Sequence, residues 1–274
     1  MRYIIDNKNP NARKQQIRTM FDSIVEGYDR ANRILSLGID KIWRKKMIHQ
    51  IDCKSNDVVL DVCCGTGDLS KLIRSTGARV ISLDFSSAMI KKGIKNGNID
   101  DMAAVADASR LPFKEATFTR VCVSFGIRNI PDIDIFLGEV FRVLQPGGMF
   151  VALEFTRPRN TVVRLLYFLY LYTFLPIIGG IIAGNIKAYR YLSKTIHTFI
   201  DPPSLLAIQE KHGFIEAARE AFYNIVPDYS MPGISNPALA TIVAGILGAV
   251  IVFGVAYGIA RAEKRPSAQD DAQR

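Results

Sequence analysis

One stretch of the chain, residues 59–69 (VLDVCCGTGDL), constrains the fold more than any other. A short apolar run reaches Asp61 and Val62, and a turn that contains Gly65 and Gly67 separates it from a helix-like pattern. A parallel β-strand that leads into a ligand-binding loop has this order of residues. Because neither glycine has a Cβ atom, the loop can turn sharply and its backbone can approach a ligand closely. The stretch therefore predicts a nucleotide-type ligand at the end of a parallel strand.

A second acidic residue narrows the choice of ligand. Asp84 follows another apolar run, residues 80–83, at the distance at which an acidic side chain accepts hydrogen bonds from ribose hydroxyls. This spacing fits dinucleotides and S-adenosylmethionine alike. The third glycine of the dinucleotide fingerprint is missing, because Ser70 stands there, and Asp61 precedes the turn. Both differences favour S-adenosylmethionine as the cofactor.

From residue 57 to about residue 155, apolar strands alternate with amphipathic segments. This alternation predicts a doubly wound, mostly parallel α/β sheet. Residues 1 to about 55 have apolar side chains at helical spacing, which predicts a helical cap before the sheet. The residues Pro146-Gly147-Gly148 predict the end of a helix and a turn into the last strand. The predicted strands are 58–62, 79–84, 103–106, 120–125 and 149–154, and the predicted helices are 69–75, 86–95 and 133–144.

Two uncharged apolar stretches follow the predicted sheet. Residues 238–260 are long enough to cross about 30 Å of hydrocarbon and are rich in small residues, so they predict a single transmembrane helix. A linker rich in Pro, Gly, Ser and Asn (227–237) precedes this helix, and a polar tail (261–274) follows it. Residues 165–183 are interrupted by a proline and a glycine pair. They are predicted to form a lid or pocket wall for an apolar substrate, with a buried helix or a second membrane segment as the alternatives.

Composition limits the classes of partner. A net charge of +9 allows nucleic acid or an anionic membrane surface as a partner, but the chain has no nucleic-acid-binding motif, so nucleic acid is disfavoured. Three scattered histidines and four cysteines lack the spacing of a zinc site, so no metal site is predicted. Reduced thiols are expected for Cys53, Cys63, Cys64 and Cys122.

Further motifs follow one another at consistent spacing, the most distinctive being residues 124–129 (SFGIRN). Together they resemble the C-methyltransferases of menaquinone and ubiquinone biosynthesis over roughly residues 13–216. The chain departs from this family at Ala31, Asp40 and Gln145, where Met, His and Lys are usual. The segments that carry the resemblance are 28–43, 59–69, 106–113, 124–129, 142–155 and 188–199.

The resemblance implies a Rossmann-like class I methyltransferase domain over residues 1–226 that uses S-adenosylmethionine. The implied reaction is methyl transfer to a ring carbon of a prenylated quinol, with demethylmenaquinol converted to menaquinol. A benzoquinol of the ubiquinone pathway, another lipid acceptor and a non-catalytic membrane accessory role are the alternatives. By motif position, the resemblance adds Thr66, Asp84, Asp107, Ala108 and Ser124 to the cofactor-binding residues Asp61, Gly65 and Gly67. The structural alternatives are a helix N-cap for Asp84 and an ordinary strand-end hydroxyl for Ser124.

The implied chemistry also selects candidate catalytic residues. Carbon is a poor nucleophile, so the quinol must lose a proton, and a dry and well-aligned site favours the transfer. Arg128, just past the fourth predicted strand, is expected to stabilise the quinolate or to orient a water that takes the proton. Asn129 and Tyr28 are expected to complete this hydrogen-bond network. The structural alternative for Arg128 is an ion pair with an acidic neighbour such as Asp132.

The end of the chain departs from the family pattern. The last strand expected of a family member is not recognisable after residue 226. Residues 227–261 instead resemble the membrane end of small accessory proteins of cobalt and nickel transport. We therefore expect a single-pass membrane anchor with the catalytic domain in the cytoplasm, although the basic residues after the anchor favour the opposite sidedness. The expected partners are a prenylated quinol and the lipid membrane, and homo-oligomerisation is left open.

Overall fold

The computed structural model of the chain describes residues 10–158 and 161–214. The predicted linker, transmembrane helix and polar tail lie outside the described residues, and so does the region after residue 226 in which the last family strand was sought. Contacts divide the chain into a larger unit, residues 1–158 and 167–225, and a smaller unit, residues 159–166 and 226–274. Of the smaller unit, only residues 161–166 are described, and they begin a helix.

A single sheet of parallel strands forms the centre of the larger unit. The strands are β1 (Val58–Val62), β2 (Arg79–Asp84), β3 (Ala103–Val105), β4 (Phe118–Ser124) and β5 (Leu144–Leu153). Their order in the sheet is β3-β2-β1-β4-β5, and all neighbouring pairs are parallel. The prediction of a doubly wound parallel sheet is therefore confirmed.

Burial on both faces explains why the central strand reads as a continuous apolar run. Val59, Leu60 and Val62 of β1 are completely buried, as expected for a parallel strand with helices on both sides. Each such side chain contributes about 1.5–3 kcal/mol by leaving water. Asp61 is also completely buried, and it is the one polar residue within β1. A polar group in this position needs a partner, which points to the end of β1 as a functional site.

Helices cover the sheet and continue beyond it. In the described part of the chain they are α1 (Pro10–Ile24), α2 (Tyr28–Leu35), α3 (Ile39–Ile51), α4 (Asp68–Arg74), α5 (Ser87–Lys95), α6 (Ile133–Val143), α7 (Thr161–Leu169), α8 (Leu175–Ala183), α9 (Ile186–Thr198) and α10 (Pro202–Lys211). A 3-10 turn at Ile127–Asn129 follows β4, and a π-helical turn at Tyr170–Phe174 joins α7 to α8. Side chains cap several helix starts. Ser86 accepts from the Met89 N–H at 3.1 Å, and Asp132 accepts from the Ile135 N–H at 3.0 Å.

The predicted turn at Pro146-Gly147-Gly148 is wrong. Helix α6 ends at Val143 and β5 begins at the next residue, so the Pro-Gly-Gly sequence lies inside the strand. The pairing of β4 with β5 is irregular there, because Phe118 pairs with Leu144 but Arg120 pairs with Met149. The intervening residues form a bulge, where proline and glycine are tolerated in a strand.

One helical stretch in the described part of the chain, Arg164–Ala183, is long and apolar enough to cross a membrane. Most of its side chains are not buried. However, Leu171 and Leu175 belong to a core cluster that also contains Tyr189 and Ile196 of α9. The side of the stretch that carries Leu171 and Leu175 is therefore packed against α9. Its predicted role as a substrate lid or pocket wall stays a prediction.

Candidate active site

The carboxyl ends of the strands bring most of the predicted site residues to one edge of the sheet. The chain runs from β1 outward to β2 and β3 and then crosses to β4 on the other side of β1. The strand order therefore reverses between β1 and β4, and open parallel sheets bind ligands at such a point. Asp61 lies on β1, Asp84 ends β2 and Ser124 ends β4. The loop after β1 lies beside all three residues: Gly65 in this loop donates to Asp84 and lines one cavity with Asp61 and Ser124.

Asp84 holds the loop after β1 to the loop after β2. Its Oδ2 accepts from the Gly65 N–H at 2.9 Å, and its Oδ1 accepts from the Ser86 N–H at 2.8 Å. Burial raises the pKa of Asp84 to about 6, although these hydrogen bonds oppose the shift. The side chain that caps α5 is Ser86 rather than Asp84. Asp84 is thus a buried acceptor at the place where the sequence predicts a ribose-binding carboxylate.

The two loop glycines meet different requirements. Gly65 has a φ of +56° and open space around the position of a Cβ, whereas a Cβ on Gly67 would lie 2.3 Å from a side-chain carbon of Ile99. Gly67 also has a φ of +78°, which L side chains rarely adopt. The loop therefore needs Gly67 for close packing, while Gly65 leaves room for a ligand against the main chain.

Two buried oxygen atoms near this loop have no hydrogen-bond partner. Asp61 accepts from the Ser70 hydroxyl at 2.6 Å through Oδ2, but its Oδ1 has no partner, and the Oγ of Ser124 has none either. Both residues line one cavity together with Thr66 and Tyr28. Burial raises the pKa of Asp61 to about 7. Buried polar groups are nearly always paired, so these two atoms mark a place for a polar ligand.

The start of α2 contacts the same cavity. The Thr66 hydroxyl donates to Asp29 Oδ1 at 2.5 Å, and Asp29 directly follows Tyr28 at the beginning of α2. Burial raises the pKa of Asp29, and the hydrogen bond from Thr66 opposes this shift. The start of segment 28–43 and the glycine loop are far apart in sequence, but together they form one wall of this cavity.

A second cavity lies beside the loop after β3. Asp107 and the buried Ala108 line it together with Asn129, and Cys63 lines both this cavity and the first. The Ser109 N–H donates to Asp107 Oδ1 at 2.8 Å, and the ammonium group of Lys14 from α1 pairs with Oδ2. Burial by itself would raise the pKa of Asp107, but the hydrogen bonds from Lys14 and Ser109 outweigh it, so the pKa is lowered. No pattern in the sequence indicated the contact between Asp107 and Lys14.

Arg128 is buried and forms an ion pair with Glu154. The Arg128 guanidinium donates through Nη1 to Glu154 Oε1. The backbone N–H groups of Arg128 and Phe155 also donate to the Glu154 carboxylate, at 3.3 and 2.8 Å. The predicted structural alternative, an ion pair with an acidic side chain, is therefore present, but its suggested partner Asp132 is wrong, because that side chain caps α6. The Nε of Arg128 is buried without a partner, so one donor remains for a ligand.

Tyrosines from α2 and α9 surround Arg128. The Tyr191 hydroxyl donates to Asn129 Oδ1 at 3.0 Å. Burial raises the pKa of Tyr191 to about 12 and also raises that of Tyr28, while the positive charge of Arg128 opposes both shifts. Tyr28 from segment 28–43 therefore lies near Arg128 and Asn129 from segment 124–129. Tyr191 was not predicted as a site residue, and the only signal for it was its place in the matching segment 188–199.

Aromatic rings complete the wall beside Arg128. The rings of Phe125 and Phe155 stack with their centroids 4.6 Å apart, and Trp43 packs against both, at 6.0 and 5.7 Å. The Arg128 guanidinium carbon lies 5.7 Å from the Phe155 ring centroid. Rings of this size exclude water from one side of the guanidinium, which strengthens its electrostatic effect on a bound anion.

Comparisons with known proteins show which proteins the chain is similar to. The profile of the ubiE/COQ5 methyltransferase family matches residues 9–226, and that of the PDGLE domain matches residues 204–265. The demethylmenaquinone methyltransferase of Staphylococcus aureus (strain JH9) is 37% identical over 223 residues, 79% of this chain and 91% of the relative. The same-named protein of strain Newman matches equally well.

A solved structure supports the fold alone. It is an SAM-dependent methyltransferase of Thermotoga maritima, described as a possible histamine N-methyltransferase. The TM-score is 0.54 at 17% identity, and the match covers 72% of this chain and 81% of the other. The prediction of a Rossmann-like methyltransferase fold is confirmed.

Proposed function

The chain belongs to the ubiE/COQ5 methyltransferase family, and on this premise we propose that it methylates a ring carbon of a prenylated quinol, with demethylmenaquinol as the substrate. The chain is an S-adenosylmethionine-dependent methyltransferase. The observation that carries the choice of acceptor is the buried Arg128, which is held by Glu154 and keeps an unpaired Nε beside Tyr28 and Asn129. A fixed cation in a dry site suits an acceptor that must become an anion before it reacts.

The residues at the strand ends fit S-adenosylmethionine. The unpaired Asp61 Oδ1 and Ser124 Oγ suit its methionyl ammonium group, and Asp84 suits its ribose hydroxyls. The carboxylate of Asp107 suits the adenine amino group, with the Ala108 N–H as a donor to the ring. When bound, this cofactor supplies a methyl group on a positively charged sulfur. We assign these residues, with the loop of Gly65, Thr66 and Gly67, to cofactor binding.

Arg128 has an electrostatic role in the proposed mechanism. A guanidinium group has only hydrogen-bond donors, so Arg128 cannot itself accept the quinol proton. It stabilises the quinolate oxygen and orients a water molecule that takes the proton. Glu154 holds the guanidinium in place, because its carboxylate is itself fixed by two backbone N–H groups.

Asn129 and Tyr28 position the ring of the acceptor. Asn129 receives a hydrogen bond from Tyr191, which fixes the orientation of its amide. The Tyr28 hydroxyl serves as a second donor to a quinol oxygen. Because methyl transfer from a sulfonium to an anion removes both charges, a dry site favours it, and the wall of Trp43, Phe125 and Phe155 supplies one.

We place the enzyme at the cytoplasmic face of a membrane, anchored by residues 238–260. The support is the uncharged length of this stretch and the match of residues 204–265 to the PDGLE domain. Anchoring is physically useful, because a prenylated substrate is confined to the bilayer and its effective concentration near the enzyme rises.

The test is direct transfer of label. The full-length protein in detergent is incubated with methyl-labelled S-adenosylmethionine and either reduced demethylmenaquinol or a prenylated benzoquinol. Label on a ring carbon of the naphthoquinol is the expected result. Label on the benzoquinol alone overturns the choice of substrate, and cofactor binding without any transfer overturns the proposed reaction.

A further inference from the structure

The segment between Glu154 and Asp201 has an unusual distribution of charge. It contains no acidic residue, whereas its ends carry lysines and arginines on both sides of an uncharged middle. The segment contains six basic side chains, so it carries most of the net charge of +9 of the whole chain. They are Arg157, Arg159, Arg164, Lys187, Arg190 and Lys194.

The uncharged middle of this segment exposes one apolar face. Leu169, Tyr172, Ile177 and Ile181 are 54, 49, 56 and 73% exposed, and Ile186 at the start of α9 is 43% exposed. Single exposed apolar residues are ordinary in soluble proteins, but a row of them along one helix is not. We refer to these five side chains as the outer face.

The exposed side chains continue across the π-helical turn. Leu169 ends α7, Tyr172 lies in the turn at Tyr170–Phe174, and Ile177 and Ile181 lie on α8. The exposed row therefore runs from the end of α7 to the end of α8.

The inner side of the same helices is fixed to the protein. A Cβ on Gly179 would lie 2.3 Å from the Tyr189 ring, so α8 and α9 are in close contact. The Tyr170 hydroxyl donates to the Leu35 carbonyl at 2.8 Å, which ties the π-helical turn to α2. Crossing a bilayer would require these helices to leave the core cluster around Tyr189, and this cost favours a position in the plane of the interface.

We propose that the outer face docks into the interfacial region of an anionic lipid bilayer. An apolar helix face with basic flanks and no acidic residue is the pattern of interfacial helices, because acyl chains take the apolar side chains and anionic headgroups attract the basic ones. Arg190 and Lys194 are exposed on α9, close in sequence to Ile186, and so border the apolar row. The segment also has no acidic residue that would repel an anionic headgroup.

Docking in this orientation would bring the bilayer close to the candidate active site. Leu171 and Leu175, on the inner side of the same helices, share a core cluster with Tyr28 and Tyr191. The inner side of these helices thus packs in the same cluster as the tyrosines around Arg128. This part of the inference rests on the proposed function, since it takes the substrate to be a prenylated quinol that leaves the bilayer near the site.

Position-specific fluorescence quenching tests the docking. Full-length Ile181→Trp is compared with the matched variant Ile135→Trp, because Ile135 is 52% exposed on α6, outside the charged segment. Both are mixed with phosphatidylcholine vesicles that carry about 30 mol% anionic phosphatidylglycerol and brominated acyl chains. The signal of Trp43 in the unaltered protein is subtracted. We expect about threefold more quenching at position 181 than at position 135, and less with phosphatidylcholine alone.

Three other results would overturn the docking. Equal quenching at positions 181 and 135 would mean that another part of the chain holds the protein on the vesicle. A blue-shifted, unquenched signal at position 181 that does not depend on protein concentration would mean that residues 215–274 cover the outer face. The same signal with a dependence on concentration would mean that a second copy covers it.

A paired activity measurement tests the delivery of substrate. The variant Ile177→Asp/Ile181→Asp is compared with Ile94→Asp/Ile135→Asp, which changes two isoleucines on α5 and α6 that are about half exposed. Transfer to demethylmenaquinol in anionic vesicles should fall about tenfold in the first variant only. Transfer to a water-soluble, short-chain demethylmenaquinol should not change in either. Equal vesicle activity in both variants would overturn the delivery step.

If the unaltered protein methylated neither quinol, the proposed function would fail while the quenching result still decided the docking.

Discussion

Asp84 in the cofactor half of the candidate site and Arg128 in its acceptor half are held in place by different means. In the cofactor half, Asp84 is fixed by backbone N–H groups of the two adjacent loops. In the acceptor half, Arg128 is fixed by one carboxylate, that of Glu154, and Asn129 is oriented by one hydroxyl, that of Tyr191. Backbone donors are present in every sequence that forms the loop, whereas each side-chain partner must be supplied by a particular residue.

This difference has a consequence for how each half tolerates change. A substitution in the cofactor half should weaken binding of the cofactor and leave the remaining chemistry intact. A substitution in the acceptor half should remove a partner that nothing else replaces, so it should reduce turnover at full occupancy of the cofactor.

The largest effect is expected for the pair of Arg128 and Glu154. Arg128→Met leaves a buried carboxylate without its partner, which should lower the free energy of unfolding by about 3–5 kcal/mol. The double variant Arg128→Met/Glu154→Gln should recover most of that stability. Transfer should nevertheless stay about 10²- to 10³-fold below the unaltered protein, because the cation beside the quinolate is still missing. Urea unfolding and turnover at saturating cofactor measure the two effects. Recovery of turnover in the double variant would make the role of Arg128 structural.

A smaller effect, confined to the cofactor, is expected for Asp84→Asn. The amide offers one acceptor where the carboxylate offers two, so either the loop or the ribose loses a charged hydrogen bond, worth about 1.5–3 kcal/mol. Cofactor affinity measured by calorimetry should fall about 10- to 100-fold. The control is Asp100→Asn, since Asp100 pairs with Arg74 at the surface. The affinity of this variant for the cofactor should equal that of the unaltered protein. Equal affinities for both variants would argue against the assignment of Asp84.

The pH dependence of stability should report the buried acids of the cofactor half. The pKa values of Asp61 and Asp84, about 7 and about 6, lie above the unfolded value of about 3.9. The folded state therefore binds these protons more tightly than the unfolded state. Its free energy of unfolding should be higher at pH 5 than at pH 8, and the gain should be lost as the pH rises through 6 to 7. Urea unfolding of the cofactor-free protein measures this, with Asp61→Asn expected to flatten the upper part of the curve. No difference between Asp61→Asn and the unaltered protein would contradict the assignment.

The smallest effect is expected for Tyr191→Phe. Loss of one neutral hydrogen bond to Asn129 costs about 0.5–1.5 kcal/mol, so turnover should fall about 2- to 12-fold while cofactor affinity is unchanged. Tyr172→Phe is the control, because its hydroxyl contacts His197 at an exposed position on the outer face. A loss of cofactor affinity in Tyr191→Phe would show that the two halves of the site are coupled.

Much of the cofactor half could be predicted because its residues follow consecutive strands. The apolar run of β1 ends at Val62 as predicted, and Asp84 ends β2 as predicted. The ion pair of Arg128 could not be predicted in this way. Closeness in sequence favoured Asp132, but the 3-10 turn after β4 directs Arg128 toward the end of β5, where Glu154 lies. Lys14 lies on α1 outside the segments 28–43 to 188–199 that carry the resemblance, so no local pattern marked it. Tyr191 lies within segment 188–199 on α9, but nothing in that segment marked it as a partner of Asn129.

The sequence by itself determined the parallel sheet, the glycine loop and the family, because these depend on periodic burial and on local backbone conformation. It also established that residues 165–183 are apolar, but not which side of them is exposed. Only the tertiary structure decided that Leu171 and Leu175 pack inward while Ile177 and Ile181 face outward. The physical reason is that a uniformly apolar helix carries no amphipathic signal, so its orientation is set by the helices it contacts. The same holds for the partner of Arg128, which is fixed by where two strands end and not by distance along the chain.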